Sequence, residues 1–154
     1  IELIDDRLSE IVRIQMDSLQ GSINALSNEE FIENIKQAKA AHGAWLNNLK
    51  KTVDDFTIYP LQTNPQKCAF GHFYNAVKVD HPDLAEKWEA IDSVHQTFHG
   101  LGDRVIEAVQ SGNKSEAERL LIEAENTSLE IFHKLDAILA ETEELTQKGI
   151  SLFA

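Results

Sequence analysis

The sequence has one cysteine, three prolines and one methionine, and it is poor in positive charge. A single cysteine excludes an intrachain disulfide and points to a reducing compartment or to a thiol with a chemical role. The prolines, Pro60, Pro65 and Pro82, leave residues 1–59 and 83–154 with no strong helix breaker. No apolar run approaches the roughly 20 residues that a bilayer-spanning helix needs, so direct membrane contact is not expected. With 14 Lys and Arg against 26 Asp and Glu, the formal net charge is −12. Nucleic-acid binding needs clustered cations that displace counterions, and none are expected here. The same deficit argues against adsorption to anionic lipid. The start IELIDDRLSE is acidic and lacks the basic n-region of a secretory signal, which favours a cytoplasmic location. Ile1 in place of Met reads as an excerpt of a longer protein or a processed chain.

What is present is helical periodicity. The length of 154 residues and the hydrophobic fraction of 42% suit one core. Over residues 1–26, Ile1, Ile4, Leu8, Ile11, Met16, Leu19, Ile23 and Leu26 recur at spacings near 3.5, the pattern of a helix with a narrow apolar seam. Such a seam suits a joint to an upstream coiled coil or a dimer contact. Ser27-Asn28-Glu29-Glu30 has the form of a capping box, which predicts a second helix from about residue 28 to residue 55. FTIYPLQTNPQ, residues 56–66, reads as a loop because Tyr59-Pro60 and Asn64-Pro65 both disfavour helix.

A short helix is expected over about 67–79, and another from Pro82, well placed in a first turn, to about Gln110. Gly112 fits a helix stop and Asn113 the next N-cap. The last helix is expected over about 114–148, with Leu120, Leu121, Ala124, Leu129, Phe132, Leu135, Ile138, Leu139 and Leu145 on its apolar face. The predicted fold is therefore all-α, an antiparallel four-helix bundle with an extra N-terminal helix. The predicted division is 1–26 as a helix or linker, 27–148 as the bundle and 149–154 as a C-terminal tail. Trp45, Trp88, Phe73, Phe98 and Phe132 are expected in the core, and the Glu-rich stretches near 116–118 and 141–144 on solvated faces.

Candidate chemistry lies in the histidines and the lone thiol. His95 and His99 stand one turn apart on one predicted helix, close enough to share a metal ion. Six histidines make one such pair weak evidence by itself. Cys68 follows the proline-containing loop at an expected helix start, where the helix dipole and free N–H groups favour thiolate, the form that binds zinc. The plain alternative is a small buried hydrophobe. His42 lies among the small residues Ala41, Gly43 and Ala44, which leave room for close helix approach, and shares a face with Trp45 and Leu49. A satisfied core histidine is the alternative there. Together these residues form a candidate Cys-His₃ set from three helices, a donor set that suits tetrahedral Zn²⁺.

Other readings compete. His72, four residues after Cys68, is an alternative to His42 as a ligand, or a surface residue. His81 before Pro82 fits a turn near an N-cap. Glu130-Ile-Phe-His133 has the Glu-x-x-His form of di-iron bundles, but its only companion is Asp92-Ser-Val-His95. A catalytic zinc site keeps an open position for water, whereas four protein ligands close this one, so no enzymatic activity is expected. A purely structural zinc module is the remaining alternative.

His42-Gly-Ala-Trp45, Cys68-Ala-Phe70-Gly71-His72-Phe73-Tyr74 and His95-Gln-Thr-Phe-His99 occur in that order. In this order the motifs resemble the chemoreceptor zinc-binding domain family, whose pattern is His and Trp on one helix, Cys-x-Phe/Leu-Gly-x-aromatic, then His-x-x-x-His. The resemblance covers about residues 30–140. His72 departs from the residues common at its position, and Phe73 stands where Trp is frequent. The resemblance implies a helical bundle that usually dimerises and a zinc site of His42, Cys68, His95 and His99. It further implies a regulatory role in soluble chemoreceptors, with the chemotaxis signalling assembly as partner, or in diguanylate cyclases through an attached output domain. The implied stimulus is zinc level or an oxidant such as hypochlorous acid acting at Cys68.

Overall fold

The computed structural model describes the backbone of residues 2–153 and the side chains of residues 28–153. The chain is all-helical, and no strand occurs among the described residues. Five helices follow one another: α1 (Glu2–Asp55), α2 (Ala69–Ala76), α3 (Pro82–Glu89), α4 (Ile91–Gln110) and α5 (Lys114–Gln147). None of them is long and apolar enough to cross a membrane. The expected seam on residues 1–26 depends on side chains outside the described residues.

Each connection has a local cause. α1 ends where Phe56 takes a positive φ of 50° and the Phe56 and Thr57 amides turn back to the Val53 and Thr52 carbonyls. A left-handed residue at a helix end is usually glycine; Phe56 is tolerated there while its ring packs against the core. Cys68 caps α2, its sulfur accepting the Gly71 N–H at 3.2 Å. His81 caps α3 through its ring nitrogen and the Asp83 N–H, with Pro82 in the first turn. Gly112, at φ 72°, and the Asn113 side chain, which accepts from Glu116 N–H, make the α4–α5 turn as the sequence predicts.

Three expectations are corrected. The helix break at residues 26–28 is not made: α1 runs through Ser27 to Glu30 without interruption. A capping box acts only where the preceding chain leaves helical geometry, and residues 22–27 contain neither glycine nor proline to force it. The helix expected over 82–110 is divided into α3 and α4 at Ala90, a turn residue between them that keeps right-handed backbone angles, φ −65° and ψ −15°. The Glu89 carbonyl next to it accepts from the Tyr74 hydroxyl at 3.5 Å. Finally, α2 stops at Ala76 rather than near residue 79, because Val77 is extended and the chain continues toward Asp80 to meet the C-terminal segment.

α5 packs along both α1 and α4, α2 lies on α1, and α3 touches α4 and α5. Asn28 meets Thr146 while Lys39 pairs with Asp136, so α1 and α5 run antiparallel. The core rows follow the helical period: Phe31, Ile35, Leu49 and Val53 on α1, Ile91, Phe98 and Val105 on α4, and Leu120, Ile131, Leu135 and Ile138 on α5. Burying each such side chain contributes roughly 1.5–3 kcal/mol. Trp45, Trp88 and Phe98 are buried as expected, whereas Phe73 and Phe132 are half-buried. Leu129, expected on the apolar face of α5, is 65% exposed, and Ser128 holds the buried position beside it. The rows from Ala124 through Ser128 to Ile131 and Leu135 leave Leu129 a turn position that faces outward.

Residues 149–153, within the expected C-terminal tail, pack back onto the helices. Leu152 is fully buried, and its carbonyl accepts from the Asp80 and His81 amides. Asn28, buried on α1, holds this segment from the other side. Its amide donates to the Ile150 carbonyl at 2.8 Å and the Thr146 hydroxyl at 3.1 Å, and its oxygen accepts the Leu152 N–H at 3.1 Å. The residue expected to open a helix instead fastens the end of the bundle. Asn28→Ala leaves the Ile150 carbonyl and Leu152 amide without this partner, each such loss costing about 1–3 kcal/mol. The substitution is expected to lower the urea midpoint by a corresponding amount with an unchanged slope; an unchanged midpoint would dismiss the clasp as a source of stability.

Candidate metal centre

The core rows of α1 and α4 contain three histidines. His42 lies in the row that runs from Ile35 through Ala38 to Trp45 and Leu49, and His95 and His99 lie among Ile91, Val94, Phe98 and Leu101. All three are nearly inaccessible, between 1% and 4% exposed. Cys68, half-buried at the start of α2, approaches them from the loop side. One donor atom from each of His42, Cys68, His95 and His99 lies within 4.8 Å of the other three. Sγ of Cys68 is 3.3 Å from Nε2 of His95. With ligand bonds of about 2.0–2.3 Å, a tetrahedral zinc site has ligand–ligand edges of about 3.3–3.8 Å. The Cys68–His95 pair already has that separation, and no pair in the set needs to close by more than about 1–1.5 Å.

The hydrogen bonds behind the rings fix which nitrogens face inward. Nδ1–H of His42 donates to the Ala38 carbonyl at 2.8 Å, and Nδ1–H of His99 donates to the Gln62 carbonyl at 2.9 Å. A carbonyl only accepts, so each ring carries its proton on Nδ1 and offers the Nε2 lone pair to the interior. Nε2 of His99 is the one buried side-chain nitrogen or oxygen among the described residues with no hydrogen-bond partner. Such orphan atoms are rare in native interiors, and a metal ion accounts for this one. The nitrogen and sulfur donors are those Zn²⁺ prefers, so the residues present fit the ion.

Burial sets the protonation of all four groups. Desolvation lowers His42 to about 4 and His95 to about 3, with the neighbouring imidazoles opposing charge further. Desolvation also lowers His99, partly offset by the Gln62 carbonyl and Asp103. The three rings are therefore neutral near pH 7 and need lose no proton to bind a metal. For Cys68 the expected depression is reversed. The Gly71 and Phe70 amides at the helix start do favour thiolate, but burial outweighs them and raises the thiol. A bound cation would return the sulfur to thiolate.

Two glycines make room for the loop that brings Cys68 in. A Cβ on Gly71 would lie 1.8 Å from the Pro65 carbonyl oxygen, so the loop can close over the start of α2 only at glycine. A Cβ on Gly102 would lie 2.7 Å from the Trp45 ring. Gly43, by contrast, faces open space, and the expectation of close helix approach at Ala41–Ala44 is not met. A cleft of about 320 Å³ opens beside the cluster, lined by His42, Trp45, Gln62, Cys68, Phe70 and His99 among others.

The competing residues lie elsewhere. His72 and His133 are exposed and stand outside the cluster. His81 caps α3. The Ala38 and Gln62 carbonyls are not foreseeable from residue type, since main-chain acceptors are common to every residue.

The lowered imidazoles also set a stability profile. In the unfolded chain a histidine titrates near 6.5, so between that value and about 4 the unfolded state holds more protons than the folded one. The metal-free protein is expected to be most stable above pH 6.5 and to lose on the order of a few kcal/mol as pH falls toward 4. Urea midpoints measured at about pH 7 and about pH 4.5 test this, and equal midpoints would refute it.

No curated protein and no solved structure matches the chain at a meaningful level. One family model does match, over residues 42–106, a span that begins at His42 and includes Cys68, His95 and His99. That model describes the chemoreceptor zinc-binding domain, and the stretch of this chain that matches it holds all four donors of the cluster.

Proposed function

We propose that His42, Cys68, His95 and His99 together hold one Zn²⁺, and that the domain regulates a bacterial signalling protein through that site. The convergence of the four donor atoms within 4.8 Å, with an otherwise unpartnered His99 nitrogen among them, carries this reading. A chemoreceptor is the favoured host, with the chemotaxis assembly as its partner and a homodimer as its working form. A diguanylate cyclase is the alternative host. In this reading residues 27–148 are a four-helix zinc-binding module, residues 1–26 join it to an output coiled coil, and the protein works in the cytoplasm.

Zinc bound there supplies the positive charge that keeps Cys68 a thiolate. The rest is done by the chain. The buried imidazoles present neutral lone pairs, and the Ala38 and Gln62 carbonyls keep two of the rings in the correct tautomer. Cys68 has two tasks, since its sulfur is a donor of the cluster and also the acceptor that starts α2. Hypochlorous acid reaching it through the adjacent cleft takes two electrons from the thiolate; the sulfur gains oxygen as a sulfenic acid and chloride leaves. The sulfenic acid is a poorer donor and a poorer cap, so the start of α2 shifts. A change of zinc level acts at the same place by changing occupancy. Either signal biases output only through different affinities for two arrangements of the domain.

A structural zinc site is the second reading, and the core favours a sensor. The cluster of buried residues on α1, α4 and α5 extends well beyond the four donors, and α5 contributes none of them. The metal-free chain is therefore expected to keep its helices, whereas a structural site would unfold on chelation. Elemental mass spectrometry is expected to find about one zinc per chain in the parent and much less in Cys68→Ala. Equal zinc in both proteins would remove Cys68 from the site. The oxidant route further requires that Cys68→Ser abolish the response of the full signalling protein to hypochlorous acid, and a retained response would leave zinc level as the signal.

A further inference from the structure

We propose that Trp45 is a positioning residue for the metal centre, acting through the Gln62 main-chain carbonyl on His99. This rests on the reading of His99 as a zinc ligand. The Gln62 carbonyl oxygen accepts two N–H groups, Nε1–H of Trp45 at 2.8 Å and Nδ1–H of His99 at 2.9 Å. A carbonyl oxygen has two lone pairs, and here both are used. Gln62 belongs to the connection between α1 and α2, where no helical ladder fixes its backbone, and its exposed side chain turns back on the loop to accept the Asn64 N–H at 3.1 Å. The indole N–H is the contact from α1 that anchors this carbonyl behind His99.

The indole is itself held firmly. Trp45 is buried, and its ring lies 4.5 Å from Phe98 and 5.0 Å from His99, centroid to centroid. Gly102, nearly one turn beyond His99 on α4, leaves the space the indole fills. A Cβ there would lie 2.7 and 2.9 Å from two of its ring carbons and 3.2 Å from Cγ2 of Thr63 in the same loop. Helix α1 thus places the indole, the indole places the loop carbonyl, and the carbonyl fixes the tautomer and direction of His99. Partners behind a metal-bound histidine matter because a ring free to turn, or protonated on the wrong nitrogen, binds less often.

Trp45→Phe keeps an aromatic ring in the slot and removes only the N–H and part of the bulk. Trp88→Phe is the control, since Trp88 is equally buried but packs among Phe31, Phe70, Phe73 and Tyr74, away from Gln62. Zinc affinity is measured by competition with a chromophoric chelator. The expected result is a loss of about 10-fold or more for Trp45→Phe and little change for Trp88→Phe, within the range found when such partners are removed. Nitrogen-15 spectra of the metal-free proteins give an independent readout: His99 is a single Nδ1–H tautomer in the parent and a mixture in Trp45→Phe.

A third measurement needs no variant to fold well. Titrating zinc into the parent is expected to shift the Trp45 indole N–H resonance and leave that of Trp88 in place. Equal zinc affinity in Trp45→Phe and the parent, or an unmoved Trp45 resonance in a parent that binds zinc, overturns the inference alone. A parent that binds no zinc overturns the site assignment and the inference with it.

Discussion

Three imidazoles occupy positions where a helical core usually places leucine or phenylalanine, a half-buried thiol meets them from a helix start, and the cost of charging these groups governs the site. Removing water from His42, His95 and His99 makes their protonated forms unfavourable, and for His42 and His95 the neighbouring imidazoles add to the penalty. The rings are left as neutral donors, and two of them, His42 and His99, are oriented by main-chain carbonyls. The thiol answers the same burial in the opposite sense and keeps its proton more tightly. The proton released when a metal binds at neutral pH is thus the one on sulfur. A site of this kind responds to whatever changes that sulfur.

The helices divide the work. α5 packs against both α1 and α4 and brings no donor. The donors come from α1, α4 and the start of α2, the shortest element that meets the cluster. The α1–α2 connection is held over the donors by the indole of Trp45, by the room that Gly71 leaves for the Pro65 carbonyl, and by the Cys68 sulfur. Stability resides mainly in the long helices and adaptability in the connection, and both meet at the four donors.

Much of this was legible in the sequence. The prolines at 60 and 65 mark the connection, Gly112 and Asn113 mark the α4–α5 turn, and His81-Pro82 marks the start of α3, each through a backbone preference of that residue type. The residues of the cluster were readable because metal donors are few in kind and recur at helical spacing. The misreadings share one cause. Asn28 looked like part of a cap, yet its amide serves the chain around Leu152, more than a hundred residues away. The division at Ala90 lies where a tyrosine from another helix reaches the neighbouring Glu89 carbonyl. The Gln62 oxygen, central to the arrangement behind His99, belongs to the main chain and would be present with any side chain. Local pattern reports local geometry, and these features depend on distant partners.

The clasp of Asn28 on Leu152 also bears on how the fold is reached. All four donors lie between residues 42 and 99, so they leave the ribosome before α5 has been made. The apolar faces of α1 and α4 are completed by α5, and the hydrogen bond that closes the end of the bundle spans 124 residues. Contacts so remote in the chain form late, because the long loop between them must be closed before they repay its entropy. A nascent chain therefore presents three histidines and a thiol to the cell's metal pool while its core is still open. The order of events, metal capture or closure of the last helix, is then decided by the relative speeds of synthesis and of zinc encounter.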